Sequence, residues 1–426
     1  MRIAIVSMTQ CLPTQDSRVY REAYSLKAAG YDVLIIGLLK KGSQELREQE
    51  YKGIKIIRLH MQSGHNDIWI LYPLYLLKRI VPQSWQASIR RRLSPIARII
   101  LLGKLKRIVF WHRTSGVQQY ILSLKFSIQA YKIIEDFGAD VVHGHDLPTM
   151  PLACWCKWKL GTKVVYDNHE LWADRNTSVK PRWLWRGLDR ALESFVIRRA
   201  DAVLAVGDSI AEIMADRYHV PITTLHNYPI PKGTPCSLRE RLKILDSQKV
   251  ILYLGLMTPH RGVEQSIQTL KYLPSYVLVL LGYSLDEAYL HRVFKLISQE
   301  GAGEQVYFMS AVPFDEVTSW ASSADVALIL LEAKCKSYEL SFPNKLLESV
   351  AAGLPVVVNE QCTEMAGFVR GNQIGKAVNI KDINEISRAI EAVVSNPAYA
   401  LNSEDLSEEI SWHEEVKKLE EIYERF

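Results

Sequence analysis

A chain of 426 residues that is 48% hydrophobic, 9% aromatic and 23% charged has the make-up of a folded protein with two or three domains. Its 22 glycines and 17 prolines are too few for collagen-like or low-complexity sequence, and its apolar share excludes a mainly disordered chain. The formal net charge of +5 is unevenly spread: Ile68 to Ile134 holds twelve Lys and Arg and no Asp or Glu, leaving 40 basic against 47 acidic residues elsewhere. Such asymmetry points to an anionic partner, whether membrane lipid, nucleic acid or a polyanionic substrate. The six cysteines form no C-x-x-C pair and read as reduced thiols of a cytoplasmic protein. The opening MRIAIVSMTQ turns polar too soon for a secretory signal and reads as a buried strand.

Taken in chain order, that strand covers Arg2–Ser7. A helix follows over Ser17–Ala29, with Val19, Ala23 and Leu26 at helical spacing, and then a strand over Tyr31–Gly37. Strands are expected at Asp140–His143, Thr162–Tyr166 and Ala202–Val206, and helices at Trp183–Arg199 and Asp208–Asp216. Asp208 and Ser209 are suited to cap the last of these. The stretch 229–249 holds Pro229, Pro231 and Pro235 and reads as a linker between residues 1–228 and 250–405. A second strand–helix series starts at Val250–Gly255 and runs through helix Val263–Tyr272, strand Val277–Leu281, helix Asp286–Glu300 and strand Gln305–Phe308. It closes with strand Asp325–Leu330, helix Asn344–Ala352 and strand Pro355–Val358. Residues 406–426 are expected to hold a helix that packs back across the linker. Alternating strands and helices predict an α/β protein: two Rossmann-like domains of parallel strands, facing each other across a cleft at the strands' carboxyl ends.

Two motifs carry chemistry. In FPNKLLESVAAGLPVVV, Pro343 suits a helix start, and Asn344, Lys345 and Glu348 share one helix side while Leu346, Leu347 and Val350 occupy the other. Open N–H groups, the dipole and the Lys345 charge suit a diphosphate, and Glu348 one turn later suits the hydroxyls of a ribose. In YLGLMTPHRG, Gly255 ends a strand where a ligand can approach closely, and Arg261 offers a planar donor fork to phosphate oxygens. Taken alone, each also fits a plain surface turn or a solvated Lys–Glu pair.

With DSRVYREAYSL (Asp16–Leu26), HGHD (His143–Asp146) and YDNHELW (Tyr166–Trp172), these motifs resemble retaining glycosyltransferases of family 4 (group 1), specifically a subgroup with a PNK motif, which have the GT-B fold. The resemblance implies that the C-terminal domain binds a nucleotide sugar such as a UDP- or GDP-sugar. It further implies that Glu348 holds the ribose, that the amides around Pro343, Asn344 and Lys345 and the cation Arg261 hold the diphosphate, with Gly255 also on the donor side, and that His145 lies at the cleft near the transferred sugar. His145, Arg261 and Lys345 are then the catalytic candidates. Asp16, Arg18, His169 and Glu170 are acceptor-side candidates, with helix capping and surface charge as their plainer reading. Three departures stand out: Leu340 occupies the place of a common glutamate with Glu339 one residue off register, Leu256 stands where an arginine is usual, and Gln10–Asp16 replaces a glycine-rich loop.

No cofactor is expected. Two nearby histidines could suggest a metal, but no third ligand stands at a suitable spacing and there is no Asp-x-Asp, so no metal site is expected. The reading is transfer of a sugar to a saccharide or lipid-linked acceptor with retention of configuration. A sugar-nucleotide epimerase of the same fold and a catalytically weak binding protein are the alternatives. The segment 68–134, with a basic and apolar insertion at about 66–115, interleaves Lys and Arg with Trp, Tyr and Leu. That pattern suits peripheral attachment to an anionic membrane at the cytoplasmic face rather than nucleic acid, and no run reaches the ~20 residues of a membrane span.

Overall fold

The computed structural model describes residues 1–39, 46–60, 117–175, 182–230, 233, 236–340 and 342–426. The insertion expected at about 66–115 lies outside them, as does most of the basic segment.

The first half forms β1 (Arg2–Val6), α1 (Ser17–Ala28), β2 (Asp32–Leu39), β3 (Glu48–Tyr51), β4 (Ile54–His60), α2 (Val117–Phe137) and β5 (Val141–His145). It continues with α3 (Met150–Leu160), β6 (Lys163–Asn168), α4 (Arg182–Ile197), β7 (Ala202–Ala205), α5 (Asp208–Tyr218) and β8 (Thr223–Thr224). Its eight strands run β3-β4-β2-β1-β5-β6-β7-β8, and all pairs are parallel except β3 with β4. The β3–β4 hairpin is a finding beyond the expected elements. Its edge strand reads EQEY, too polar to show as a strand, and its turn needs left-handed backbone at Lys52 and Gly53.

The second half forms α6 (Leu238–Leu242), β9 (Lys249–Leu256), α7 (Val263–Thr269), β10 (Tyr276–Tyr283), α8 (Glu287–Gln299), β11 (Val306–Ser310), α9 (Val317–Ala321) and β12 (Val326–Ile329). It ends with α10 (Lys336–Glu339), α11 (Asn344–Ala351), β13 (Val356–Asn359), α12 (Thr363–Gly371), β14 (Gly375–Val378), α13 (Ile383–Ser395), α14 (Pro397–Glu409) and α15 (Trp412–Glu424). The all-parallel order β11-β10-β9-β12-β13-β14 is the doubly wound arrangement, and its switch point lies between β9 and β12. Runs such as VVHGH and VLVLL are buried on both faces because helices cover both sides of each sheet.

Leu238 and Ile244 already pack into the second core, so the linking chain has joined that domain before residue 249. The C-terminus is two helices. Leu406 on α14 and Ile410 after it stay with the second core, whereas Trp412, Leu419, Ile422 and Tyr423 on α15 pack against Ile3, Ile5 and Val19 of the first. Asp208 and Ser209 do not cap α5 through their side chains. Ser209 instead donates to Glu364 Oε1 at 2.5 Å, and Asp208 pairs with His226 at 3.3 Å.

Candidate active site

Two adjoining cavities, of 260 and 400 Å3, lie between the carboxyl ends of the two sheets. Both are lined by Gln15 and Ser17 from the first domain and by Arg261, Pro343, Asn344 and Lys345 from the second. The larger adds Gly255, Glu348, Tyr283 and Phe314; the smaller adds Asp16, Arg18, Asp146, His169 and Glu170.

The shared wall is built by α11. Pro343 sits just before its first residue in extended backbone (φ −73°, ψ 145°), and no side chain caps the N–H groups that follow. Leu346, Leu347 and Val350 bury the opposite face. Lys345 is carried inward: it is 7% exposed, its Nζ lies 4.4 Å from the Tyr253 ring centre, and that Nζ has no hydrogen-bond partner. Burial and the Arg261 charge lower its pKa to about 7, against the pull of Glu348. Arg261 Nε is likewise buried without a partner. Two cationic side chains thus bring unsatisfied nitrogens to one open helix terminus, an arrangement completed by an anion.

Glu348, one turn along, is raised above the ordinary carboxylate range by burial, which the charges of Arg21 and Lys345 only partly offset. Gly255 holds φ +93° with open space where a Cβ would stand, so a ligand can lie against this backbone. Asn344 faces the first domain: its Oδ1 accepts from Asn227, which also bonds to Arg21, and its Nδ2 lies 3.4 Å from Ser17 Oγ.

The first-domain wall is arranged differently from expectation. His145 does not reach the cavity; it is 2% exposed and lies behind His169. His169 is the histidine on the wall, with its Nε2 3.0 Å from Asp167 and its Nδ1 3.6 Å from Asp146. Burial would lower its pKa, but Asp146 and Asp167 outweigh this and raise it to about 9, so the ring is an imidazolium at neutral pH. Arg18 reaches the cavity floor, but its donors are committed to both oxygens of Asp167 at 2.6 and 2.7 Å and to the Leu225 carbonyl at 2.8 Å. It supports the wall rather than presenting free donors to an acceptor. Asp16 accepts from the Leu12 N–H at 2.9 Å and closes the 12–16 loop without capping α1 through its side chain. Glu170 takes its place on the wall with its N–H bonded to Asn168 Oδ1 at 2.9 Å.

Sequence reasoning missed Glu22, Arg21, Asn227 and Arg58. Glu22 and Arg21 carried a signal, since they are polar residues beside the buried stripe Val19, Ala23 and Leu26. Arg58 fixes the loop that stands in for a glycine-rich one, donating to the carbonyls of Gln10 at 2.6 Å and Cys11 at 2.9 Å. Polar atoms of Glu22, His143, His145 and Asp167 converge within 4.8 Å. The third and fourth groups that spacing did not reveal come from α1 and β6. The Arg18 guanidinium, 2.6 Å from Asp167 and 3.0 Å from Glu22, already supplies cationic charge between the two carboxyl groups.

Family comparison fits this geometry. A model of Glycosyltransferase Family 4 matches residues 97–228, and one of Glycosyl transferases group 1 matches residues 237–411. The chain belongs to the family 4, group 1 glycosyltransferases.

An uncharacterized glycosyltransferase of Methanocaldococcus jannaschii is 28% identical to this glycosyltransferase over 311 residues, covering 67% of this chain and 75% of that protein. Alpha-galactosylglucosyldiacylglycerol synthase of Streptococcus pneumoniae is 23% identical over 288 residues, covering 64% and 73% respectively. The structure of Anabaena HepE in complex with UDP and glucose is alike over the whole of both chains, with a TM-score of 0.67 at 12% identity. The glycosyltransferase accordingly has the GT-B fold, two parallel-sheet domains facing across the cleft. Where a second glutamate is common, its Leu340 packs against the first-domain core, and Glu339 pairs with Lys336 at 2.8 Å away from both cavities.

Proposed function

We propose that this glycosyltransferase moves a sugar from a nucleoside-diphosphate donor to a saccharide or lipid-linked saccharide, with retention of anomeric configuration and without a metal ion. One observation carries the reading: the buried, unpartnered Lys345 Nζ and Arg261 Nε at the open start of α11, between the two cavities. The diphosphate lies there, with the nucleoside over Gly255 and Glu348 in the larger cavity and the sugar toward His169 and Asp16 in the smaller. The bond from C1 to the β-phosphate oxygen breaks, and its electron pair leaves with the phosphate. The acceptor oxygen bonds C1 from the same face through an oxocarbenium-like state, and its proton passes to the departing phosphate. Preorganised cations stabilise the growing charge, and loss of one such donor costs about 10²–10³ in rate.

Calorimetry with UDP and GDP tests the site. Glu348→Ala is expected to weaken nucleotide binding while the fold is retained, and unchanged affinity would falsify the ribose assignment. Product NMR reads the anomeric configuration, turnover in a chelator reads metal independence, and donor incubated without acceptor separates transfer from epimerisation.

We also propose that the first domain rests on an anionic membrane surface. Among the described residues no helix is long and apolar enough to cross a bilayer. Trp158 and Trp183 are each 75% exposed, Lys159 lies 4.1 Å from the Trp158 ring centre, and Arg199 lies 3.5 Å from that of exposed Phe195. Paired aromatic and cationic side chains of this kind suit a headgroup layer. The pneumococcal relative's name, a diacylglycerol glycolipid synthase, points the same way.

A further inference from the structure

In HGHD, β5 ends at His145 and the chain turns at Asp146. Gly144 makes room for the turn, because a Cβ there would meet Thr149 Oγ1 at 2.7 Å and Met150 Sδ at 3.1 Å. Thr149, buried in that space, donates from Oγ1 to the carbonyls of His145 at 3.0 Å and Asp146 at 2.9 Å. The Asp146 N–H donates to the Asp167 carbonyl at 2.8 Å. Pinned on both sides, Asp146 takes φ +62° and ψ 161°. His219 and Lys243 also have positive φ, but ψ of 46° and 41° puts them in the ordinary left-handed region just past helix ends. Asp146 lies outside it, in a region that in practice belongs to glycine. A glycine would make this turn without strain, so the turn alone does not account for an aspartate.

Asp146 and His169 both line the smaller cavity. Its carboxyl groups are Asp16, Asp146 and Glu170, all from the first domain. Among the described residues the second domain adds none there: Leu340 stands where a second glutamate is common, and Glu339 turns to Lys336. Asp146 Oδ1 accepts from the His169 N–H at 3.1 Å. Asp146 Oδ2 lies 3.6 Å from His169 Nδ1, too far for a direct hydrogen bond. The other ring nitrogen of His169 is turned away, to His145 at 2.9 Å and Asp167 at 3.0 Å. An acceptor oxygen and a ring nitrogen thus stand side by side on the wall. At that separation one hydroxyl oxygen placed between them reaches both at ordinary hydrogen-bond length.

We propose that Asp146 is a sugar-binding residue: its Oδ2 accepts from, and His169 Nδ1 donates to, one and the same hydroxyl of the sugar being transferred. Only a side chain with an acceptor at this reach fills that role, which accounts for an aspartate kept in backbone suited to glycine. The fork selects a hydroxyl, which donates and accepts at once. A carboxylate or phosphate oxygen only accepts, and would set its charge against Asp146. The imidazolium of His169 supplies the Nδ1 proton at neutral pH.

That the hydroxyl belongs to the donor's sugar rests on the proposed transfer reaction; the fork itself does not. The test is calorimetry on the full chain with UDP, GDP, UDP-glucose, UDP-galactose and GDP-mannose, comparing wild type, Asp146→Gly, Asp146→Asn and His169→Gln. Asp146→Gly relaxes the backbone as it removes the carboxyl, so its unfolding midpoint is expected to stay within a few degrees of wild type. Its affinity for the bare nucleotide is unchanged, while affinity for the nucleotide sugar that the wild type binds most tightly falls about tenfold. Asp146→Asn, which keeps an oxygen of the same reach, loses less. Asp146→Gly combined with His169→Gln loses no more than the larger single loss, because both hold one hydroxyl. Wild-type affinity for the nucleotide sugar in Asp146→Gly, whatever its midpoint, overturns the proposal, and so do losses that add in the double variant. If the wild type binds no nucleotide, the transfer reading fails separately, and glucose, galactose and mannose titrated into the 15N-histidine-labelled chain decide the fork. The His169 signal is then expected to shift in the wild type and not in Asp146→Gly, and no shift in the wild type overturns the proposal.

Discussion

Lys345 shows how a binding residue and a stabilising residue can be opposites. Its ammonium is buried over Tyr253 with no partner, and its pKa is lowered to about 7. For a lysine the sign runs against stability: between about 7 and 10.5 the unfolded chain binds more protons, so this side chain costs the apoprotein stability at neutral pH. Lys345→Met fills the same space without the unsatisfied group. It is expected to stabilise the apoprotein by about 1–3 kcal/mol in denaturant titration while weakening UDP binding. Wild-type affinity for UDP is expected to fall as pH rises through about 7, and the Lys345→Met variant should lack that step. His169 has the opposite sign. Its raised pKa contributes stability present below 6.5 and lost through about 9, and an acceptor-side role predicts that His169→Gln lowers turnover with nucleotide affinity unchanged. Glu339, paired with exposed Lys336, contributes little: Glu339→Gln is expected to leave turnover within about twofold and stability within ~0.5 kcal/mol.

At the scale of elements, α15 crosses from the second domain to become part of the first. Leu419 is fully buried against the first core, and Trp412 donates to Ser25 Oγ at 2.8 Å. Leu419→Ala is expected to cost about 2–5 kcal/mol, and if the domains unfold separately it is the first domain's transition that shifts. The heptad-like Val416, Leu419 and Ile422 showed that a helix was there; where it docks depends on Tyr423 and His143, 280 residues apart, a pairing that no local pattern carries. The same divide runs through the rest of the chain. Strands buried on both faces and the PNK helix were legible because their apolar runs, and the Pro343 and Gly353 that flank the helix, are local signals. The β3–β4 hairpin was not, since an edge strand with one solvated side can be as polar as EQEY. His145 was placed a layer too near the cavity because strand position fixes which face a side chain takes, not whether His169 from the next strand covers it. Glu22 escaped because its neighbours His143, His145 and Asp167 gather around it only once α1, β5 and β6 have met.

For the whole molecule, the decisive quantity is how charge and apolar surface are distributed rather than their sums. Outside residues 68–134 the chain is net acidic, so a nonspecific pull toward anionic lipid has to come from that segment and the helices beside it. Near the end of that segment Lys132 is paired with Glu135 and Asp136 at 3.0 and 2.9 Å, which offsets its charge locally. Each basic residue close to an anionic surface adds roughly 1 kcal/mol, and the effect fades within a Debye length. The exposed Trp158 and Trp183 add an apolar component that salt does not screen. Two contributions with different salt responses give a specific expectation for vesicle flotation. Recovery should be high on phosphatidylglycerol vesicles at low salt, drop several-fold on neutral vesicles or at high salt, and drop further in Trp158→Ala/Trp183→Ala without a change in salt slope. Equal recovery on neutral and anionic vesicles would remove the electrostatic part, and a double variant that floats as well as wild type would remove the aromatic part.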